Sequence, residues 1–105
     1  MNKKAKYDEN QLEFQKLADF FKIMGDKTRV SILSVLLEKE MCVKDIYQEL
    51  GLNTSMVSHQ LKILRGAKVV KARRDGKNVF YSLDDGHVEQ IISVALEHIR
   101  HDEAE

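Results

Sequence analysis

The sequence predicts one mainly α-helical domain with a single small β-hairpin near its C-terminal end. Three observations predict it. Apolar residues recur at helical spacing through residues 11–24, 27–37, 43–64 and 85–101. An Asp75-Gly76 pair sits between two β-prone runs, which is a strong signal for a tight hairpin turn. Proline is absent, so glycines and capping side chains must set the helix ends.

The bulk properties bound the reading. A chain of 105 residues is one small domain, and 43% hydrophobic with 32% charged residues is ordinary for a soluble globular protein. The formal net charge is zero, which argues against indiscriminate coating of nucleic acid but permits local basic patches. No apolar run is long enough to span a bilayer and no signal peptide is expected, so no membrane partner is expected either. The single cysteine, Cys42, excludes an internal disulfide framework and suits the cytoplasm. A chain this short buries a modest fraction of its surface, so a second copy sharing its core would help.

In chain order, residues 1–10 begin MNKKAKY and are expected to form a flexible basic N-terminus. Phe14, Leu17, Phe21 and Met24 then repeat at helical spacing, with Phe20 and Ile23 widening the face. Gly25 ends this helix and Asp26 can cap the next, over residues 27–37, whose Val30, Leu33, Leu36 and Leu37 point inward. Both helices are expected to be mostly core-forming.

Residues 43–64 carry the centre of the molecule. Val43, Ile46, Tyr47 and Leu50 share one face of a short helix, and Gly51 follows where a left-handed residue is wanted. Asn53, Thr54 and Ser55 offer caps for a second helix, in which Val57, Leu61 and Leu64 point inward. Its polar positions Thr54, Ser55, Ser58, His59, Gln60 and Lys62 include no carboxylate. An ordinary helical hairpin could look the same. A duplex groove asks for such a surface, because phosphates repel acids and base edges need hydrogen-bonding side chains. The pattern reads as a helix-turn-helix with residues 54–64 as recognition helix.

Residues 69–84 form the predicted hairpin, with strands at 69–72 and 79–83 around a loop at 73–78. Asp75 is the only acid between Lys62 and Asn78, while Arg73, Arg74 and Lys77 cluster at the tip. Charge runs are commonly solvated faces; beside a recognition helix, phosphate contacts are the better reading. A helix-turn-helix followed by such a hairpin is a winged helix.

The last helix, residues 85–101, has a broad apolar face of Val88, Ile91, Ile92, Ala95, Leu96 and Ile99. It needs something to pack on, and a second copy is the economical partner. The expected assembly is a homodimer through terminal helices, whose two-fold axis matches operator DNA carrying an imperfect inverted repeat, with half-sites about 34–36 Å apart.

Three of the four histidines lie on this helix. His87 and His98 are roughly 16 Å apart along its axis, too far to share a metal. Asp85 with His87, and His98 with His101, can each share one. If the helix pairs antiparallel with its two-fold mate, one pair from each chain completes a closed tetrahedral site of three imidazoles and a carboxylate. That set suits Zn²⁺, with Co²⁺ as second choice. The stripe also fits exposed histidines beside an acidic tail.

The order of these motifs resembles the ArsR/SmtB family of metal-responsive repressors over nearly the whole chain. The residues that carry the resemblance are SMVSHQLKILR, RRDGKNVFYSL, Asp85-Gly86-His87 and His98-Ile99-Arg100-His101. It implies a repressor that binds its operator metal-free and releases it on metal binding, controlling efflux or resistance genes. It also implies Asp85, His87, His98 and His101 as ligands of a zinc or cobalt sensor. Other members use a Cys-Val-Cys thiolate site; here Cys42 matches the first cysteine but Lys44 replaces the second, so that site is expected to be absent. Two competing readings are a winged-helix repressor answering a non-metal signal, such as a thiol oxidant at Cys42, and a non-regulatory metal-binding dimer. Enzymatic activity is not expected: a site closed by four protein ligands leaves no position for water, and no nucleophile–base constellation stands out.

Overall fold

The computed structural model describes the backbone of residues 3–104 and the side chains of residues 10–102. The element order is α1 (Lys3–Met24), α2 (Lys27–Leu36), α3 (Val43–Leu50), α4 (Thr54–Gly66), β1 (Val70–Asp75), β2 (Asn78–Leu83) and α5 (Gly86–Ala104).

Helix α1 starts at Lys3, where the periodicity predicts a start near Gln11 after a frayed basic segment. Its early residues lack an apolar repeat, but Lys3, Lys4, Ala5, Lys6 and Glu9 are good helix formers and neither Gly nor Pro interrupts them. Phe20, Ile23 and Met24 pack against the core. Leu12, Phe14, Leu17 and Phe21 do not: each is more than half exposed. The core-forming role expected of this helix is therefore confined to one edge of its last turns.

The core is built by α2, α3, α4 and the foot of the hairpin. Ile32, Leu33, Ile46, Val57, Leu61, Leu64, Val69 and Val70 are essentially inaccessible. Each such aliphatic side chain contributes about 1.5–3 kcal/mol through removal from water. The helix ends follow local chemistry. The Asp26 carboxylate accepts from the Arg29 backbone N–H at 3.0 Å and the Asn53 side chain from that of Met56 at 2.8 Å, capping α2 and α4. Gly51 closes α3 at φ +67°, letting the Leu52 N–H reach the Tyr47 carbonyl at 3.0 Å.

The hairpin pairs antiparallel from Val70 opposite Leu83 to Asp75 opposite Asn78. Its turn is only Gly76-Lys77, with Gly76 at φ +64°. Arg73 and Arg74 are thus ladder residues rather than the loop residues predicted. A two-residue turn with a positive-φ glycine matches strand twist, so pairing runs on to the tip. Met41, before α3, exchanges backbone hydrogen bonds of 3.0 and 2.8 Å with Tyr81 of β2. This bridge fastens the hairpin to the helix-turn-helix.

Asp85 caps α5: its Oδ1 accepts from the His87 and Val88 backbone N–H groups at 2.9 and 3.0 Å. Val88 and Ile92 anchor α5 in the core, while Ile91, Val94 and Ile99 are exposed. Phe21 and Met24 of α1, Val30 of α2 and Ile91, Ala95 and Ile99 of α5 border an apolar groove of about 220 Å³.

Candidate nucleic-acid interface and metal-ligating pairs

Thr54, Ser55, Ser58, His59 and Lys62 are all exposed on α4, while Val57, Leu61 and Leu64 hold its other face in the core. Gln60 stands apart. It is half-buried, and its Oε1 accepts from Arg29 Nη1 of α2 at 3.2 Å. Sequence reasoning did not single out Arg29. The available signal was a lone basic side chain inside the otherwise apolar and hydroxylic run TRVSILSVL.

On the hairpin, Arg74 and Lys77 are exposed, with Lys77 in the turn itself. Arg73 is engaged within the chain. Its Nη2 and Nε donate to the two Glu40 carboxylate oxygens at 2.5 and 3.3 Å, and its guanidinium lies 5.0 Å from the centre of the Phe80 ring. A two-point fork of this kind fixes the guanidinium plane. The Arg73 hydrogen bond holds the Glu40 carboxyl below the usual carboxylate range. Between α4 and the hairpin lies a cleft bordered by Ser58, Lys62, Arg65 and Tyr81.

The two ligand pairs sit at opposite ends of α5. Asp85 Oδ2 and His87 Nδ1 are 3.5 Å apart, both exposed. With Oδ1 taken by backbone donors, Oδ2 is the oxygen turned toward the imidazole. The Val88 N–H foremost, then desolvation opposing it and His87 assisting, leaves the Asp85 carboxyl below its ordinary range. His98 and His101 border a shallow cleft with Val94 and Glu97 on the outer face. An apolar strip of Ile91, Val94 and Ala95 runs up to His98. Among the described residues, no group of three potential ligands gathers within one chain. The donor chemistry of each pair, a carboxylate with an imidazole and two imidazoles, is of the kind a zinc-class ion takes.

Cys42 is half-buried at the cap position of α3 and makes no side-chain capping bond there. No helix among the described residues is long and apolar enough to cross a membrane.

Residues 26–72, from the cap of α2 into β1, match the family model for bacterial regulatory proteins of the arsR family. A Synechocystis transcriptional repressor SmtB homologue is 41% identical over 82% of this chain, which spans 65% of that protein's length. A Staphylococcus aureus cadmium resistance regulatory protein, a CadC homologue, is 41% identical over 92% of this chain and 81% of its own. The chain belongs to the arsR family. Among solved structures, the homodimeric winged helix-turn-helix DNA-binding domain of a Mycobacterium bovis regulator superposes with a TM-score of 0.79 at 27% identity, covering 91% of this chain and 87% of that one. The arsR family consists of transcriptional regulators, not enzymes, and its repressors bind operator DNA as homodimers. The fold here is the winged helix-turn-helix of that family. The bare apolar faces of α1 and α5 are what such a pairing needs.

Proposed function

We propose that this protein is a zinc-responsive repressor that binds operator DNA as a metal-free homodimer and leaves it when Zn²⁺ binds. The observation that carries the metal reading is the split of ligands along α5. Asp85 and His87 converge at one end, His98 and His101 border one cleft at the other, and among the described residues no group of three potential ligands gathers at either end. Each pair would meet the opposite pair of a second copy. The apolar strip running up to His98 gives a partner helix a surface to lie on. A bound ion would supply a cross-link between the two α5 helices. Homologues named for SmtB and for cadmium resistance support a metal effector without fixing which metal.

In the DNA-bound state Thr54, Ser55, Ser58 and His59 face base edges or phosphates. Lys62, Arg74 and Lys77 neutralise phosphates on either side, and the cleft bordered by Lys62 and Arg65 fits a stretch of backbone. Arg73 sets the wing through Glu40 and meets phosphate only with its remaining donors. Ligand binding releases DNA only by favouring a dimer geometry with weaker DNA affinity, at about 1.4 kcal/mol per tenfold.

The test is a zinc titration of the protein on a fluorescent duplex of its operator, read by anisotropy. Release at about one zinc per chain, lost in His87→Ala and in His98→Ala while DNA affinity stays, is expected. Zinc-driven release that survives His98→Ala would sink the assignment.

A further inference from the structure

Arg29 joins three helices. It sits in the first turn of α2, half-buried. Its Nε donates to the Ile23 carbonyl at 2.6 Å, in the last turn of α1, where carbonyls lack partners within the helix. Its Nη1 donates to Gln60 Oε1 on α4 at 3.2 Å, and its backbone N–H takes the Asp26 cap at 3.0 Å. The planar guanidinium can serve two acceptors in fixed directions at once.

Direction matters here. Val57, Leu61 and Leu64 hold α4 in the core by apolar burial, which has no directional preference. Hydrogen bonds do have one. Gln60 is adjacent in sequence to His59 and Leu61, so fixing Gln60 fixes the rotation of α4 about its own axis. That rotation aims Ser55, Ser58 and His59. The other end of the link is α1, whose Leu17 and Phe21 are exposed.

We propose that Arg29 is a positioning residue for DNA recognition: through Gln60 it sets the angle of the recognition helix from the α1 scaffold, and Gln60 is its anchor rather than a reader of bases. This rests on α4 being the recognition helix. The same link offers a path by which a change in the dimer, felt at α1, turns the reading surface.

Anisotropy on two duplexes tests it, one selected by the wild-type protein from a random pool and one of scrambled sequence. Arg29→Met and Gln60→Met are each expected to lose about tenfold on the selected duplex and to stay within about twofold on the scrambled one. The double variant should be no worse than the poorer single, because both remove the same bond. Arg29→Lys keeps the stem and charge that packing needs but not the fork. It should lose selectivity at an unchanged melting temperature, so the test survives if Arg29→Met fails to fold. Full selectivity in the Arg29 variants beside its loss in Gln60→Met would overturn the proposal, since Gln60 would then read bases itself. Losses that multiply in the double variant, or fall equally on both duplexes, would overturn it too. A wild-type protein that selects no sequence from the pool would instead remove the recognition helix on which the proposal stands.

Discussion

The stretch from α2 through β2 and the two terminal helices have similar proportions of apolar residues but solve different problems. In the first, the apolar side chains find one another inside the chain. Ile32, Leu33, Ile46 and Val57 reach zero exposure, and the helix ends are capped by Asp26, Gly51 and Asn53. In the second, Leu12, Phe14, Leu17 and Phe21 of α1 and Ile91, Val94 and Ile99 of α5 remain open. Contiguous open apolar surface on a small protein marks an interaction site. The helix-turn-helix and hairpin complete their core within one chain; the terminal helices keep apolar faces that this chain does not cover.

Matched truncations should break this comparison most sharply. Leu64→Ala empties the reading-half core and is expected to cost about 2–5 kcal/mol. That loss should be the same at every protein concentration at which the dimer persists. Leu17→Ala should cost less, and its effect on melting temperature should grow as protein is diluted, because it acts through association. Equal, concentration-independent losses in urea titrations of the two variants would mean that α1 is stabilised within its own chain.

A smaller effect sharpens the local side. Asn53→Ala removes the cap that positions the first turn of α4 and should cost about 1 kcal/mol. Asn53→Ser should restore most of it, as read by thermal melts. A cost unrelieved by serine would point to a role for Asn53 other than capping.

The smallest effect concerns the wing. Arg73 lowers the Glu40 carboxyl in the folded protein, so the pair stabilises above the ordinary carboxylate range. That contribution disappears as pH falls through the folded value. Both groups are exposed, so the effect is modest and screened by salt. Melting temperatures of wild type and Glu40→Gln should differ slightly at pH 7 and converge as the pH falls below the ordinary carboxylate range. A gap that widens toward acid would contradict the pairing.

Much of the molecule was legible in the sequence because its signals are local. Helical periodicity gave α2 to α5, Gly51 and Asn53 gave the turn between α3 and α4, and Asp75-Gly76 gave the hairpin. The spacing of Asp85, His87, His98 and His101 placed two separated pairs of candidate ligands on α5, since a helix fixes distances along itself. Three things were not legible. Arg73 pairs with Glu40 across 33 residues of chain, and Arg29 with Gln60 across 31. No pattern within a helical turn encodes either partner, because packing alone brings those segments together. The third is which edge of α1 is covered. Its apolar stripe is equally periodic whether it meets its own core or that of another chain, and only the placement of α2 and α5 decides between them. The sequence by itself determined the elements, their caps and the ligand spacing; the tertiary structure decided which polar side chains are held inside the chain and which apolar ones are left for a partner.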